Sequence, residues 1–191
     1  MAKKKKVYKH VLGIDIGGGT RMGVALVDNE TGELLEHDTI KPSDTKNHRD
    51  HRYSLIRKIK EYDEKYGIDI LIFESIRLFS KGHIMLQTIL SLNKVQTTVI
   101  NEFSDNFDIY QVDVRSWKAR VLGNANSDKI AAINYVKNKY PFVDLFVKTV
   151  HPKKKEIEWE LNADLADAIC IGNVLRFDSD ILQSKNKLNY K

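Results

Sequence analysis

The sequence contains a single cysteine, Cys170, so neither a disulfide framework nor a cysteine zinc cluster can be built, and a reducing compartment suits the chain. Cys170 itself reads as a small apolar residue on a buried helix face. No apolar run approaches the roughly 20 residues that cross a bilayer, which excludes a membrane span. The Lys3 to Lys6 cluster is followed by a strand pattern where an export signal would need an apolar core, so it reads as a basic N-terminal arm. There is no internal repeat, low-complexity tract or interdomain linker. The phosphate-loop lysine is also missing: Gly13 to Thr20 has the glycines of that motif, but Gly19 stands at the lysine position. His48 and His51 are three apart without a nearby third ligand or cysteine, and are read as part of a solvated loop.

What remains is one domain's worth of chain, 191 residues with 42% hydrophobic and 30% charged residues and a net charge of +5. That length buries a sizeable core without staples. The basic balance favours an acidic partner, nucleic acid being the commonest, although it speaks to encounter and solubility and not to fold.

The chain is organised around Val11 to Asp28, VLGIDIGGGTRMGVALVD. Val7 to Ile16 alternates as a strand, with Leu12, Ile14 and Ile16 on one face and Val11, Gly13 and Asp15 on the other. Met22 to Asp28 and Glu33 to Ile40 complete an antiparallel meander through short connections. A helix over about Asp50 to Tyr66 stops at Gly67. The dense apolar run Ile68 to Phe73 then reads as a buried strand parallel to the first, ending in Glu74. A long helix over Ser80 to Phe103 carries a wide apolar face, a strand covers Asp108 to Val114, and helices follow over Ser116 to Leu122 and Ser127 to Tyr140. Phe142 to Glu160 gives no clear pattern. Asn162 caps a final helix over Ala163 to about Phe177, and the tail from residue 178 reads as polar and loose. The expected fold is α/β, a mixed five-stranded sheet of meander plus parallel strands flanked by helices.

Asp15 lies where a central strand meets its turn, and an ionised aspartate buried without partners is expensive. Ligands in such sheets collect at the carboxyl ends of parallel strands, which brings Glu74 beside it. Asp164 and Asp167 are three apart on the last helix, their Cβ atoms about 5 to 6 Å apart on one face. Two such charges repel by on the order of 4 kcal/mol at about 4 Å and an effective dielectric near 20. First-turn acids facing water would be ordinary, but Ala163, Ala166, Ala168, Ile169, Cys170 and Ile171 surround this pair as in a helix laid on a sheet. A divalent cation reverses the repulsion, and all four acids offer the oxygen donors that hard cations take.

In this order, GIDIGGGTRMGVALVD, IFES, SWKARVLGNANSDK and ADLADA resemble the motifs of the RuvC-type Holliday-junction resolvases of bacteria and phages, within the RNase H-like superfamily. The motifs touch most of the chain between residues 11 and 175. The resemblance implies an RNase H-like fold in which Asp15, Glu74, Asp164 and Asp167 are catalytic and ligate two Mg²⁺ or Mn²⁺ ions. It implies DNA contacts from Lys118 and Lys129, with Arg115 and Arg21 as further candidates and Phe79 as a base-stacking wedge placed later than the family's aromatic. It also implies a homodimer whose long helix after Glu74 lies at the interface, acting on four-way junction DNA by paired nicks in a bacterial or host cytoplasm, with no small-molecule cofactor. Taken on their own, Lys118 and Lys129 read as surface lysines, with Lys129 in a helix's first turn, where the dipole disfavours a cation. The alternatives are an RNase H-like nuclease acting on RNA or on non-junction DNA and a non-catalytic binding module on the same fold. GIDIGGGT also resembles the phosphate loop of actin-like kinases, but those clamp a nucleotide between two copies of the fold, and only one glycine-rich hairpin is present.

Overall fold

The computed structural model describes residues 6–17, 21–41, 49–76, 86–150 and 157–182. Phe79, His48, His151 and the cluster Lys153 to Lys155 lie outside the described residues.

Five strands form the expected mixed sheet in the order β3-β2-β1-β4-β5. β1 (His10–Ile16) pairs antiparallel with β2 (Met22–Asp28), which pairs antiparallel with β3 (Leu34–Ile40). β4 (Ile70–Glu74) lies parallel to β1, and β5 (Asp108–Val112) lies parallel to β4. The alternation read along β1 sorts its residues onto two separate cores. Leu12 and Ile14 join Leu55, Ile59, Phe73, Val99 and Phe103 beneath α1 (Arg49–Tyr66) and α2 (Leu86–Phe103). Val11 joins Ile70, Ile72, Trp117, Ala132, Ile133 and the apolar face of α5 (Ala163–Gly172) on the other side.

Glycine decides how closely α5 lies on the sheet. A Cβ on Gly13 would collide with the backbone of Ala168 and Gly172, and one on Gly23 would collide with the backbone carbonyl of Asp164. Neither glycine has a positive φ, so both are required for approach and not for turn geometry. Gly172 presents its own small surface to Val27 and Gly13 from the helix side.

Several boundaries differ from the sequence reading for local reasons. β5 stops at Val112 because Asp113 caps α3 (Val114–Val121), its side chain accepting from the backbone N–H groups of Arg115 and Ser116. α4 (Lys129–Lys139) starts behind Asp128, whose carboxylate accepts from Ala131 N–H. The final helix breaks at Asn173 into α5 and α6 (Val174–Phe177). Asn173 is fully buried; its Nδ2 donates to Ile169 O, while its Oδ1 accepts from Lys139 Nζ at 2.6 Å and Tyr140 Oη at 3.1 Å. That side chain competes for a helix carbonyl, and its partners come from α4, which pattern reading could not supply.

The unpatterned stretch after Phe142 contains a second, two-stranded sheet, β6 (Phe146–Val150) antiparallel to β7 (Ile157–Leu161). The expected loose ends are partly tied down. Lys6 pairs with Asp108 at 2.5 Å, and Arg120 Nε donates to Asp178 at 2.9 Å. No helix among the described residues is long and apolar enough to cross a membrane.

Gly23→Ala is expected to lower the thermal midpoint by several degrees, because the added methyl meets helix backbone, which cannot rotate away as a side chain can. Differential scanning calorimetry of Gly23→Ala beside Gly67→Ala separates the two uses of glycine. Gly67 has φ 73° but nothing within 4 Å of its added Cβ, so its cost is backbone strain alone.

Candidate active site

The four acids arrive from three elements. Asp15 is the penultimate residue of β1, on the face that carries Val11 and Gly13 toward α5. The parallel register pairs Ile14 with Phe73, and one further step sets Asp15 beside Glu74, the last residue of β4. Across the antiparallel pair, Asp15 faces Gly23. Gly23 is the residue on which the Asp164 backbone rests, and a Cβ on Gly17 would stand 2.9 Å from Asp164 Oδ2. Glycine therefore seats the first turn of α5 directly over the end of β1. Asn162 caps that turn by accepting from Leu165 N–H, and its Nδ2 donates to Thr39 Oγ1 at 2.6 Å, fixing the helix start to β3.

The electrostatics are those of negative charges held near one another where solvent reaches each side chain only in part. Burial, followed by the charges of Glu74, Asp167 and Asp164, raises the Asp15 carboxyl well above its ordinary range, against a smaller opposing effect of Lys129. Burial, then Glu74, pushes Asp167 up to about 7, with Asp164 adding to the rise and Lys118 and Lys129 opposing it. Asp164 is raised by burial and relieved by Arg21 and Lys129. Asp167 Oδ1 is buried with no hydrogen-bond partner. Such an oxygen costs about 1–3 kcal/mol if nothing meets it. Among the described residues, no three His, Cys, Asp or Glu side chains already converge closely enough to share one ion; the carboxylates are neighbours in a common field.

Glu74 has a partner that the sequence reading did not single out. Trp117, fully buried on α3, donates its indole N–H to Glu74 Oε2 at 2.9 Å. Trp117 carries no periodic signal beyond that of a core aromatic, because the contact spans 43 positions and exists only once α3 has folded back over β4. Its presence in SWKARV beside Lys118 is the one hint available in the sequence.

The basic residues divide. Lys118 Nζ donates to Ser127 O at 2.7 Å and stands 5.5 Å from the centroid of the Trp117 ring, and its charge reaches Asp167. Lys129 begins α4, and its charge reaches Asp15, Asp164 and Asp167. These two lysines therefore face the acids, and the anionic compensation that a lysine in a helix's first turn calls for is supplied by the protein itself. Arg21 is held by Glu160 at 2.6 Å while acting on Asp164. Arg115 is exposed, and its backbone N–H donates to the Asp113 carboxylate at 2.9 Å. Cys170 is buried on α5, its thiol raised by burial and by Asp167. That leaves it inert at neutral pH.

No protein-family model and no curated sequence matches the chain. Solved structures do. The Thermus thermophilus RuvC structure matches with a TM-score of 0.63 at 17% identity, covering 94% of this chain and 99% of that one. T. thermophilus RuvC in complex with Holliday junction substrate matches with a TM-score of 0.65 at 16% identity and the same coverage. The yeast mitochondrial Holliday junction resolvase Ydc2 matches with a TM-score of 0.56 at 13% identity, covering 94% of this chain and 82% of that one. The likeness establishes the fold: the chain has the RNase H-like architecture of the RuvC-type resolvases.

The raised Asp167 carboxyl has a definite consequence for stability. Its folded value of about 7 lies above the ordinary 3.8, so the folded state holds a proton that the unfolded state releases. The associated stability is full below about pH 4 and is lost as pH rises through 7. Without added metal, Asp167→Asn is expected to melt with the parent at pH 4 and several degrees above it at pH 8. Thermal melts of both proteins at the two pH values check this, and parallel curves at both would contradict it.

Proposed function

We propose that this protein is a metal-dependent, structure-selective endonuclease that hydrolyses phosphodiester bonds in four-way or branched DNA. The observation that carries the reading is the gathering of Asp15, Glu74, Asp164 and Asp167 at the carboxyl end of two parallel strands, with a buried Asp167 oxygen left unbonded. The same fold in two RuvC structures, one described as a complex with Holliday junction substrate, supports the choice of branched DNA.

The residues fit hard divalent cations. The donor set is entirely carboxylate, the orphaned Asp167 oxygen is a ready acceptor of a cation, and the burial and neighbouring acid charges that raise Asp15 and Asp167 are what two positive ions would offset. Asp15, Glu74, Asp164 and Asp167 would hold them. Two Mg²⁺ or Mn²⁺ ions, when bound, would supply orientation of the attacking water and stabilisation of the leaving oxygen on a shared scissile phosphate.

The chain's own residues do the rest. Trp117 holds one oxygen of Glu74 in place by a bond that costs no reorganisation when substrate arrives. Lys118, restrained by Ser127 O and the Trp117 ring, and Lys129 at the start of α4 supply positive charge beside the acids for the phosphates flanking the cut. Arg21, anchored by Glu160, adds positive charge beside Asp164. Affinity resting on such contacts falls steeply with salt, and selection of the branch comes from its shape and flexibility and not from base edges.

Paired nicks on opposite strands require two sites, and α2 is the surface we propose for dimerisation. Its C-terminal half is core, with Val95, Val99, Ile100 and Phe103 buried, whereas Leu90 is 48% exposed and Ile89 and Leu92 are half-buried. Light scattering of the protein on junction DNA is expected to give two protomers per junction; one protomer would make the enzyme a single-nick nuclease.

Asp15→Asn is expected to bind a labelled four-way junction as the parent does in Mg²⁺ while losing cleavage by at least about a thousandfold. Cutting of junction and matched duplex at equal rates by the parent would remove the branch selectivity, and RNA cut in preference to either would replace the substrate. Trp117→Phe keeps the ring and deletes the N–H. It is expected to weaken Mn²⁺ binding by about tenfold or more in a calorimetric titration, with unchanged junction affinity at saturating metal.

A further inference from the structure

The outer face of the β6–β7 hairpin has no role in the reading above, yet it carries the largest exposed aromatic among the described residues outside helices. Its register pairs Phe146 with Leu161 and Lys148 with Trp159. Alternation therefore places these four side chains on one face. That face is open: Trp159 is 65% exposed, Phe146 52% and Leu161 38%, and Lys148 is exposed between them. Lys137, from α4, stands 5.6 Å from the centroid of the Phe146 ring. The opposite face is engaged with the body of the protein, through buried Val147 and through Glu160, which holds Arg21. The hairpin is also rigidly joined to the acids. Asn162 N–H donates to Leu145 O at 2.7 Å, closing its base, and the same residue caps α5, so Trp159 stands five residues before Asp164.

We propose that this outer face is a second nucleic-acid contact beside the acid pocket, on which Trp159 stacks an unpaired base while Lys148 and Lys137 take flanking phosphates. The proposal rests on the endonuclease reading and adds to it where the strand leaving the pocket is held. Charge and size both favour a nucleic-acid strand over a second copy of the chain. Lysine is depleted from the cores of protein interfaces, and here lysines sit among the aromatics with no acid among the described residues of the face. Interleaved cations and ring faces are what a flexible strand needs, since every base offers a π-face and every linkage a charge. Four partly exposed side chains also fall well short of the roughly 800 Å² per partner that a stable dimer buries.

The two tryptophans allow a direct readout. Trp117 is fully buried and Trp159 mostly exposed, so acrylamide quenching of the intact protein reports on Trp159. A saturating four-way junction, in the absence of divalent metal, is expected to protect it. Trp159→Ala is expected to weaken junction binding by about 5- to 100-fold with the salt slope unchanged, and Trp159→Phe to restore most of the loss. Lys148→Ala is expected to reduce the salt slope by about one phosphate. Equal affinity of Trp159→Ala and the parent, full quenching in the presence of junction, or a change of oligomeric state in Trp159→Ala by light scattering would each overturn the proposal. If the parent cuts junctions while Trp159→Ala binds them equally well, the hairpin proposal alone fails. If the parent neither binds nor cuts nucleic acid at low salt, the endonuclease reading fails and the hairpin contact with it.

Discussion

Like charges gathered at the end of the sheet, each only partly open to solvent, are the constraint around which this molecule is built. Beyond the effect of burial, the charges of Glu74 and Asp164 raise the proton affinity of Asp15 and Asp167, and one Asp167 oxygen has no donor among the described residues to meet it. A fold under selection for stability alone would not gather them, because apolar side chains in the same places would pack without the electrostatic cost. The cost is sustained by what surrounds the site. Two full hydrophobic clusters lie on the two faces of the sheet, one beneath α1 and α2 and the other beneath α3, α4 and α5. The acids occupy the margin of the second cluster, where the strands end.

The close seat of α5 on β1 and β2 turns that cost into geometry. Gly13 and Gly23 remove the two Cβ atoms that would lift the helix, and Gly17 leaves room for the Asp164 carboxylate at its start. Asn162 then locks the helix start to β3, and Asn173 locks its other end to Lys139 and Tyr140. Tyr140 continues the tie to Gly32 O in the turn between β2 and β3. A helix fastened at both ends cannot relieve repulsion between its own acids and those of the strands by sliding. Lys118, Lys129 and Arg21 relieve part of it.

The hairpin and the Trp117 contact extend the same arrangement in two directions. Trp117 works inward, spending its only polar atom on Glu74 while its ring fills core. Trp159 works outward, its ring offered to solvent on a small sheet whose other side is anchored through Glu160 and Arg21. Their contrasting burial follows from the element that carries each: α3 is folded against the main sheet, while β7 pairs only with β6.

The amino-acid sequence by itself determined the five strands, the split of β1 into an apolar face and a face bearing Asp15, and the shared face of Asp164 and Asp167. Each of these is written either in a period of two or of three to four residues or, for Ile68 to Phe73, in an unbroken apolar run. Local chemistry also marked the cap at Asn162. Tertiary structure alone decided the rest. The folding of α3 and α4 turns Lys118 and Lys129 toward the acids, and the Asn173 break depends on a lysine and a tyrosine more than thirty positions away. The β6–β7 pairing was invisible for a related reason. A hairpin exposed on one face loses the contrast between apolar and polar positions by which strands are recognised, and only its partner strand defines it.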